Sequence, residues 1–298
     1  LVSPTAAKVD NKKILRIIEE ELQDLPTLPT VVLRIMQTAN DPSVSAKNLK
    51  DIISSDPAFA AKVLRLVNSA AYGFPGKITT ITHAIVILGF STVRNLATSL
   101  GVGNGFGAAR GPSALDLRNF WSHSVATAYA ASVIGRRKNC SAKQLEEVFI
   151  GALLHDIGKL FLNRYFAEQY IVTLKFAKFG NITLLEAEKT ALGIEHAMIG
   201  KQVASKWNLP AATAAMVAYH HDPSQSNEYM ESVCIVHVAD YLVRKLKLGN
   251  AGDDTEPVLA PEVDQWLNFL PNVWDTLEQE TLAKFEGSAD FLQAMLGK

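Results

Sequence analysis

Two cysteines in 298 residues, Cys140 and Cys234, are too few for a disulfide-stapled framework. Neither lies in a Cys-x-x-Cys unit, which argues against a zinc knuckle or a redox motif. Thiols this sparse point to unpaired cysteines in a reducing, cytoplasmic compartment. No run reaches 18 apolar residues, so no bilayer span and no membrane partner are expected. The start, Leu1-Val2-Ser3-Pro4, lacks the basic-then-apolar pattern of a signal peptide. The formal net charge is -1, which supplies no global pull towards nucleic acid, and none is expected as a partner. No segment keeps up the alternation of a strand, so the expected class is all-α. With 48% hydrophobic and 20% charged residues, the chain has the composition of a soluble globular protein with a sizeable core.

Apolar residues instead recur three or four apart. Ile14, Ile17, Ile18 and Leu22 mark a helix over 11–22. Thr30 is expected to cap a helix over 31–39, and 45–54 reads as another. Asp56-Pro57 places a capping carboxylate before a proline at the first helical position. Helices over 82–88 and 91–100 follow. The segment Gly101–Gly111 is dense in glycine and reads as a hinge or linker. Without a preceding strand or a following Gly-Lys-Ser/Thr it is not a phosphate loop. It divides an N-terminal helical unit, residues 12–103, from a C-terminal one, residues 113–298. Beyond it, helices are expected over 115–137, 141–162, 166–179, 183–193, 196–207, 210–220 and 227–246. The stretch 250–257 reads as a polar break. The tail from Ala260 carries Trp266, Phe269, Leu270, Val273, Trp274 and Leu277, which are expected to pack on the body.

Within the second unit stand His123, His155-Asp156, His196, His220-His221 and Asp240. Histidine and aspartate are ligands of borderline and hard divalent metals. Seven such groups exceed one octahedral ion and suit two that share a carboxylate. His155-Asp156 lies in an apolar run, where an unpaired charge is costly and a metal removes the cost. One histidine on a helix is usually structural, and His83 and His237 fit no ligand pattern. On a continuous helix, His155 and Lys159 share a face and Asp156 points away, placed to bridge two ions while Lys159 meets substrate oxygens. Seen from Asp240, His237 is three residues before and Arg244 four after, placing both to support a ligand or, for Arg244, an anion. A two-metal centre suits phosphomonoester or phosphodiester hydrolysis. Iron or manganese is expected ahead of zinc, because no thiolate joins the set.

Leu154-His155-Asp156-Ile157-Gly158-Lys159 resembles the signature of HD-domain metal-dependent phosphohydrolases. Leu25-Pro26-Thr27-Leu28-Pro29, Ile52 to Pro57, Lys62 to Gly73 and Ile81 to Gly89 resemble, more particularly, the HDOD (HD-related output) domain of bacterial signalling proteins. The likeness covers roughly Leu25 to Leu246. It implies an N-terminal helical bundle packed on a C-terminal HD-type helical domain. It also implies a role in signal transduction, often without catalysis, in which a metal centre is structural or senses a ligand.

The related HD-GYP proteins hydrolyse cyclic di-GMP. Their pattern implies one ion on His123, His155, Asp156 and Asp240, and a second on Asp156, His196, His220 and His221. Asp156 and Lys159 would be the catalytic pair, with Lys159 on phosphate. Two departures narrow the analogy: no Gly-Tyr-Pro segment follows Asp222, and Asn119 stands where three-metal relatives carry glutamate. The implied cofactors are two divalent ions. The implied partners are a phosphate-containing small molecule (a phosphomonoester, nucleotide or cyclic dinucleotide) or a signalling protein.

Overall fold

A computed structural model describes residues 11–25, 28–38, 44–68, 77–105, 112–267, 273–288 and 292–293. The described residues contain sixteen α-helices, one 3₁₀ turn and no strand. The N-terminal helices are α1 (Asn11–Gln23), α2 (Thr30–Gln37), α3 (Ala46–Ser54), α4 (Pro57–Val67), α5 (Ile81–Leu88) and α6 (Phe90–Gly105). Their starts follow local chemistry. Asp56 accepts hydrogen bonds from the N–H groups of Ala58 and Phe59 at 3.0 Å, with Pro57 in the first turn. Ser45 and Asn48 form a reciprocal cap on α3. One expectation fails here: Thr30 is already inside α2, and Pro29 stands at the cap with no side-chain hydrogen bond.

The glycine-dense segment also departs from expectation. Gly101–Gly105 are the last residues of α6, not a linker, and 106–111 lie outside the described residues. A β-carbon on Gly101 would stand 2.0 Å from Val32 Cγ2. Glycine there lets α6 lie directly on α2, and this packing outweighs its weak helix propensity. Helix α6 carries buried Arg94, whose guanidinium pairs with the half-buried Glu146 of the second unit.

That second unit runs through α7 (Leu117–Arg137), α8 (Ala142–Leu154), α9 (Ile157–Tyr165), α10 (Ala167–Gly180), α11 (Leu184–Leu192), α12 (His196–Lys206), α13 (Ala211–Tyr219) and α14 (Met230–Lys245). Helices α7, α8 and α14 pack together at its centre, and α12 packs on α9 and α13. The tail forms α15 (Pro261–Leu267) and α16 (Val273–Glu286). Trp274 meets Tyr241 edge-on at 5.7 Å, and Lys138 sits 4.3 Å over the Trp266 ring, so both indoles pack on the body as expected. Phe269 and Leu270 lie outside the described residues. Both cysteines are free. No helix among the described residues is long and apolar enough to cross a membrane.

Candidate metal centre

The helix expected over 141–162 is two helices, and the break falls on His155-Asp156. Asp156 leaves helical geometry at φ -96° and ψ 14°. On an unbroken helix it would point about 100° away from His155. The break lets the imidazole and the carboxylate face one point, with 3.3 Å between His155 Nε2 and Asp156 Oδ2. It also changes the place of Lys159. Its buried ammonium lies on Asp156 Oδ2 at 2.8 Å rather than one helical turn above His155.

Helix α9 reaches the centre by crossing α12 at glycines. A β-carbon on Gly158 would stand 1.9 Å from the carbonyl oxygen of His196, and Gly200 lies opposite. This backbone-to-backbone approach brings His196 Nε2 to 3.2 Å from Asp156 Oδ1.

The seven candidate ligands converge as two groups. His123, His155 and Asp240 form one, and Asp156, His196, His220 and His221 the other, with ligand atoms within 4.8 Å of one another in each. Asp156 faces both. Its Oδ2 lies 3.3 Å from His155 Nε2 and 3.7 Å from His123 Nε2, and its Oδ1 3.2 Å from His196 and 3.7 Å from His220. Asp240 Oδ1 lies 3.1 Å from His123 Nε2. The far ring nitrogens of three histidines are tied. Nδ1 of His155 meets Ala152 O at 2.6 Å, Nδ1 of His220 meets Val217 O at 2.9 Å, and Nδ1 of His196 meets Glu188 Oε2 at 2.6 Å. An Nδ1–H donated this way leaves Nε2 a bare lone pair. Yet Nε2 atoms crowd together: His123 and His155 at 3.2 Å, His196 and His221 at 2.9 Å. Asp156 Oδ1 and His220 Nε2 are both buried without a hydrogen-bond partner. Lone pairs aimed at lone pairs, with orphaned acceptors between them, fit cations.

Protonation answers the same crowding when no cation is present. Burial disfavours the charged form of His196, but Glu188 and Asp156 override it and lift the imidazole to about 9. Burial and the neighbouring imidazoles push His220 and His221 well below the usual range. Burial raises Asp156 and Asp240, but the surrounding histidines, with Lys159 and Arg244, hold both carboxyls well below their ordinary range.

The supporting residues take specific places. His237 Nε2 accepts the N–H of Ala260 at 2.9 Å, so its Nδ1–H donates to the carbonyl of His220 at 2.7 Å. It thus holds the backbone of a candidate ligand. Arg244 stands 4.0 Å from Asp240 Oδ2 and is held by Asp253 Oδ2 at 3.2 Å and by the Thr255 carbonyl at 3.0 Å. The expected polar break over 250–257 is a hydrogen-bonded strap: Asn250 Nδ2 donates to Asp254 and Thr255 Oγ1 to Asp253, both at 2.7 Å. Gly249, at φ +79°, seats the strap on α7, where a β-carbon would lie 2.4 Å from the N–H nitrogen of His123. Asn119 turns its amide to Asp116 at 3.1 Å. Strap and centre border a cavity of about 370 Å³, lined by His123, Asp156, Asp240 and His221 below and by walls of mixed charge, with Lys159, Arg244, Lys245 and Lys247 facing Asp253, Asp254 and Glu256 of the strap.

Sequence reasoning missed Glu188 and Tyr170. Glu188 is fully buried and accepts from the N–H and Nδ1 of His196 and from the Tyr170 hydroxyl. Its neighbours Glu186 and Lys189 make the run read as a solvated face. The only available signal was a glutamate eight residues before a candidate ligand.

Known proteins share this arrangement of helices. Residues 25–223 match the family model of the HDOD domain. An uncharacterized protein of Treponema pallidum (strain Nichols) is 26% identical over 235 residues, covering 78% of this chain and 45% of that protein. The chain therefore spans less than half the length of that relative. Among solved structures, an HDOD domain protein from Geobacter sulfurreducens is 25% identical with a TM-score of 0.73, over 96% of this chain and 98% of that one. A candidate signal transduction protein from Marinobacter aquaeolei VT8 reaches a TM-score of 0.79 at 19% identity, over 99% of this chain and 68% of that one. A candidate phosphohydrolase from Shewanella amazonensis SB2B reaches 0.69 at 21% identity, over 93% and 96%. The last two show the shared fold.

Proposed function

The chain belongs to the HDOD domain family, and from that premise we propose a cytoplasmic signalling module that holds two divalent ions and hydrolyses a phosphoester. One observation carries the reading: the two carboxylate oxygens of Asp156 divide between two groups of imidazoles. His123, His155 and Asp240 would hold one ion with Asp156 Oδ2, and His196, His220 and His221 the other with Oδ1. Iron or manganese suits this oxygen-and-imidazole set ahead of zinc, and no thiolate is near to select otherwise. Two such ions, when bound, acidify a water and neutralise a phosphoryl oxygen.

The chain's own residues do the rest. The carbonyls of Ala152 and Val217, with Glu188, fix three tautomers so that Nε2 faces inward. Lys159 and Arg244 stand on the cavity wall, each paired with a carboxylate, Asp156 and Asp253, so they would orient a phosphoryl group while bound cations would supply the net positive charge that draws it. Asp253 and Thr255 keep the Arg244 guanidinium in place. The cavity lies over His123 and Asp240, so a phosphate-bearing small molecule reaches the centre from the strap side. The partner class is such a molecule, with a signalling protein upstream or downstream.

The test is a phosphoesterase screen of iron- and manganese-reconstituted protein, covering phosphomonoesters, nucleotides and cyclic dinucleotides, with Asp156→Ala as the blank. Turnover abolished by that substitution is the expected result. Two bound ions without turnover on any substrate would instead favour a structural or ligand-sensing centre, and would overturn the hydrolytic part of the reading.

A further inference from the structure

The two halves of the centre are not equivalent in charge. The half built on His123 and His155 has a carboxylate of its own, Asp240, beside its share of Asp156. The half built on His196, His220 and His221 has only its share of Asp156. Three imidazoles and half a carboxylate supply enough donors for a dication but leave most of its charge uncompensated in a buried site. Directly behind His196, however, lies a third carboxylate. Glu188 is fully buried and accepts from the N–H of His196 at 2.8 Å, from Nδ1 of His196 at 2.6 Å and from Tyr170 Oη at 2.9 Å, so two of its three contacts are to one candidate ligand. A buried carboxylate is expensive to keep unless positive charge stands close to it, and here that charge comes through the His196 ring. His155 and His220 have their Nδ1 atoms held by backbone carbonyls, so orientation alone does not require a charge.

We propose that Glu188 is the positioning residue of the second ion site: acting through His196, it supplies the negative charge that Asp240 supplies directly to the first. It fixes the His196 tautomer and makes Nε2 a stronger donor, and its charge is left for an ion on the far side of the ring to balance. Tyr170 completes its hydrogen bonds without neutralising it. The two sites therefore fill unequally when Glu188 loses its charge. This inference rests on the reading that the two groups hold cations.

Glu188→Gln tests it. The amide oxygen can still accept both His196 donors at the Oε2 position, and the amide nitrogen can donate to the Tyr170 hydroxyl, so shape and hydrogen bonds survive while the charge goes. The probe is zinc, titrated calorimetrically and checked by elemental analysis against a graded chelator. Wild type takes up two ions. Glu188→Gln should keep one unchanged and bind the other about 10- to 100-fold more weakly. Tyr170→Phe, which keeps the charge, should shift neither by more than about threefold. In a His196→Ala background, Glu188→Gln should do nothing further, because its path is gone. Equal affinities in Glu188→Gln, or equal weakening of both sites, would overturn the inference while leaving two-ion binding intact. No zinc uptake by wild type would defeat the earlier reading instead.

A second readout needs no variant. In ¹⁵N spectra of zinc-loaded wild type, His196 should carry its proton on Nδ1, shifted downfield by a carboxylate acceptor. A proton on Nε2 would overturn the inference even if Glu188→Gln failed to fold.

Discussion

Replacing Gly158 by alanine should damage both the fold and the centre. The added carbon would stand 1.9 Å from the His196 carbonyl oxygen and 2.8 Å from the Gly200 nitrogen. Both are backbone atoms, so no side chain can turn aside. Reaching ordinary contact requires α9 and α12 to part by about 1.5 Å. Overpacking of this kind costs about 3 kcal/mol. Alanine returns less than about 1 kcal/mol through helix propensity, leaving a net loss of about 2 kcal/mol. For a chain of this size that is a fall in Tm of about 5 °C. The same movement pulls Asp156 Oδ1 away from His196 Nε2, now 3.2 Å apart, so the ion held by His196 should be lost first.

Gly151→Ala is the matched control. Its carbon would meet Met216, with Cε at 2.3 Å, Sδ at 2.4 Å and Cβ at 3.0 Å; the flexible thioether can turn aside and the Cβ contact needs a shift of only a few tenths of an ångström, with no backbone atom in the way. It should stay within about 1 kcal/mol of wild type. The assay is a calorimetric melt of both variants, paired with elemental analysis. A Gly158→Ala protein that melts within about 1 °C of wild type and keeps two ions would refute the claim that this crossing holds the centre together.

Other consequences follow from the same geometry. Asp156→Ala should empty both sites, whereas Asp240→Ala should empty only the one on His123 and His155, as elemental analysis would read. Arg94→Ala leaves the half-buried Glu146 without its partner and should cost about 1.5 kcal/mol in a denaturant titration, whereas Arg94→Met with Glu146→Leu should recover most of it. The metal-stripped protein should be most stable near pH 6.5, the ordinary histidine value. His123, His220 and His221 are depressed, so their contribution is present above that pH and is lost as pH falls. His155 and His196 are raised, so theirs is present below it and is lost as pH rises, for His196 through about 9. Melts of stripped protein across pH 5 to 9 would show a monotonic trend if these assignments were wrong.

The features legible in the sequence were those settled by neighbours in the chain. Asp56-Pro57 caps α4 because a carboxylate two or three residues ahead of free N–H groups needs nothing from elsewhere. The order of histidines and aspartates marked a possible centre because those side chains are rare in apolar runs. What escaped depends on contacts between distant elements. The break at His155-Asp156 is hidden because apolar spacing continues from Leu153 to Leu162, and no proline marks it. Gly101–Gly105 reads as soft until Val32 is seen against it. The strap is anchored by Arg244 and by the backbone of α7, neither near it in the pattern of residues. Glu188 gains its meaning only from Tyr170 and His196 on other helices.

The central claim is that Asp156 joins two cation sites. The most direct test is the metal content of protein purified without added metal and reconstituted anaerobically with iron or manganese. The account predicts close to two ions per chain, and none in Asp156→Ala. Less than about half an equivalent in the reconstituted wild type would contradict it.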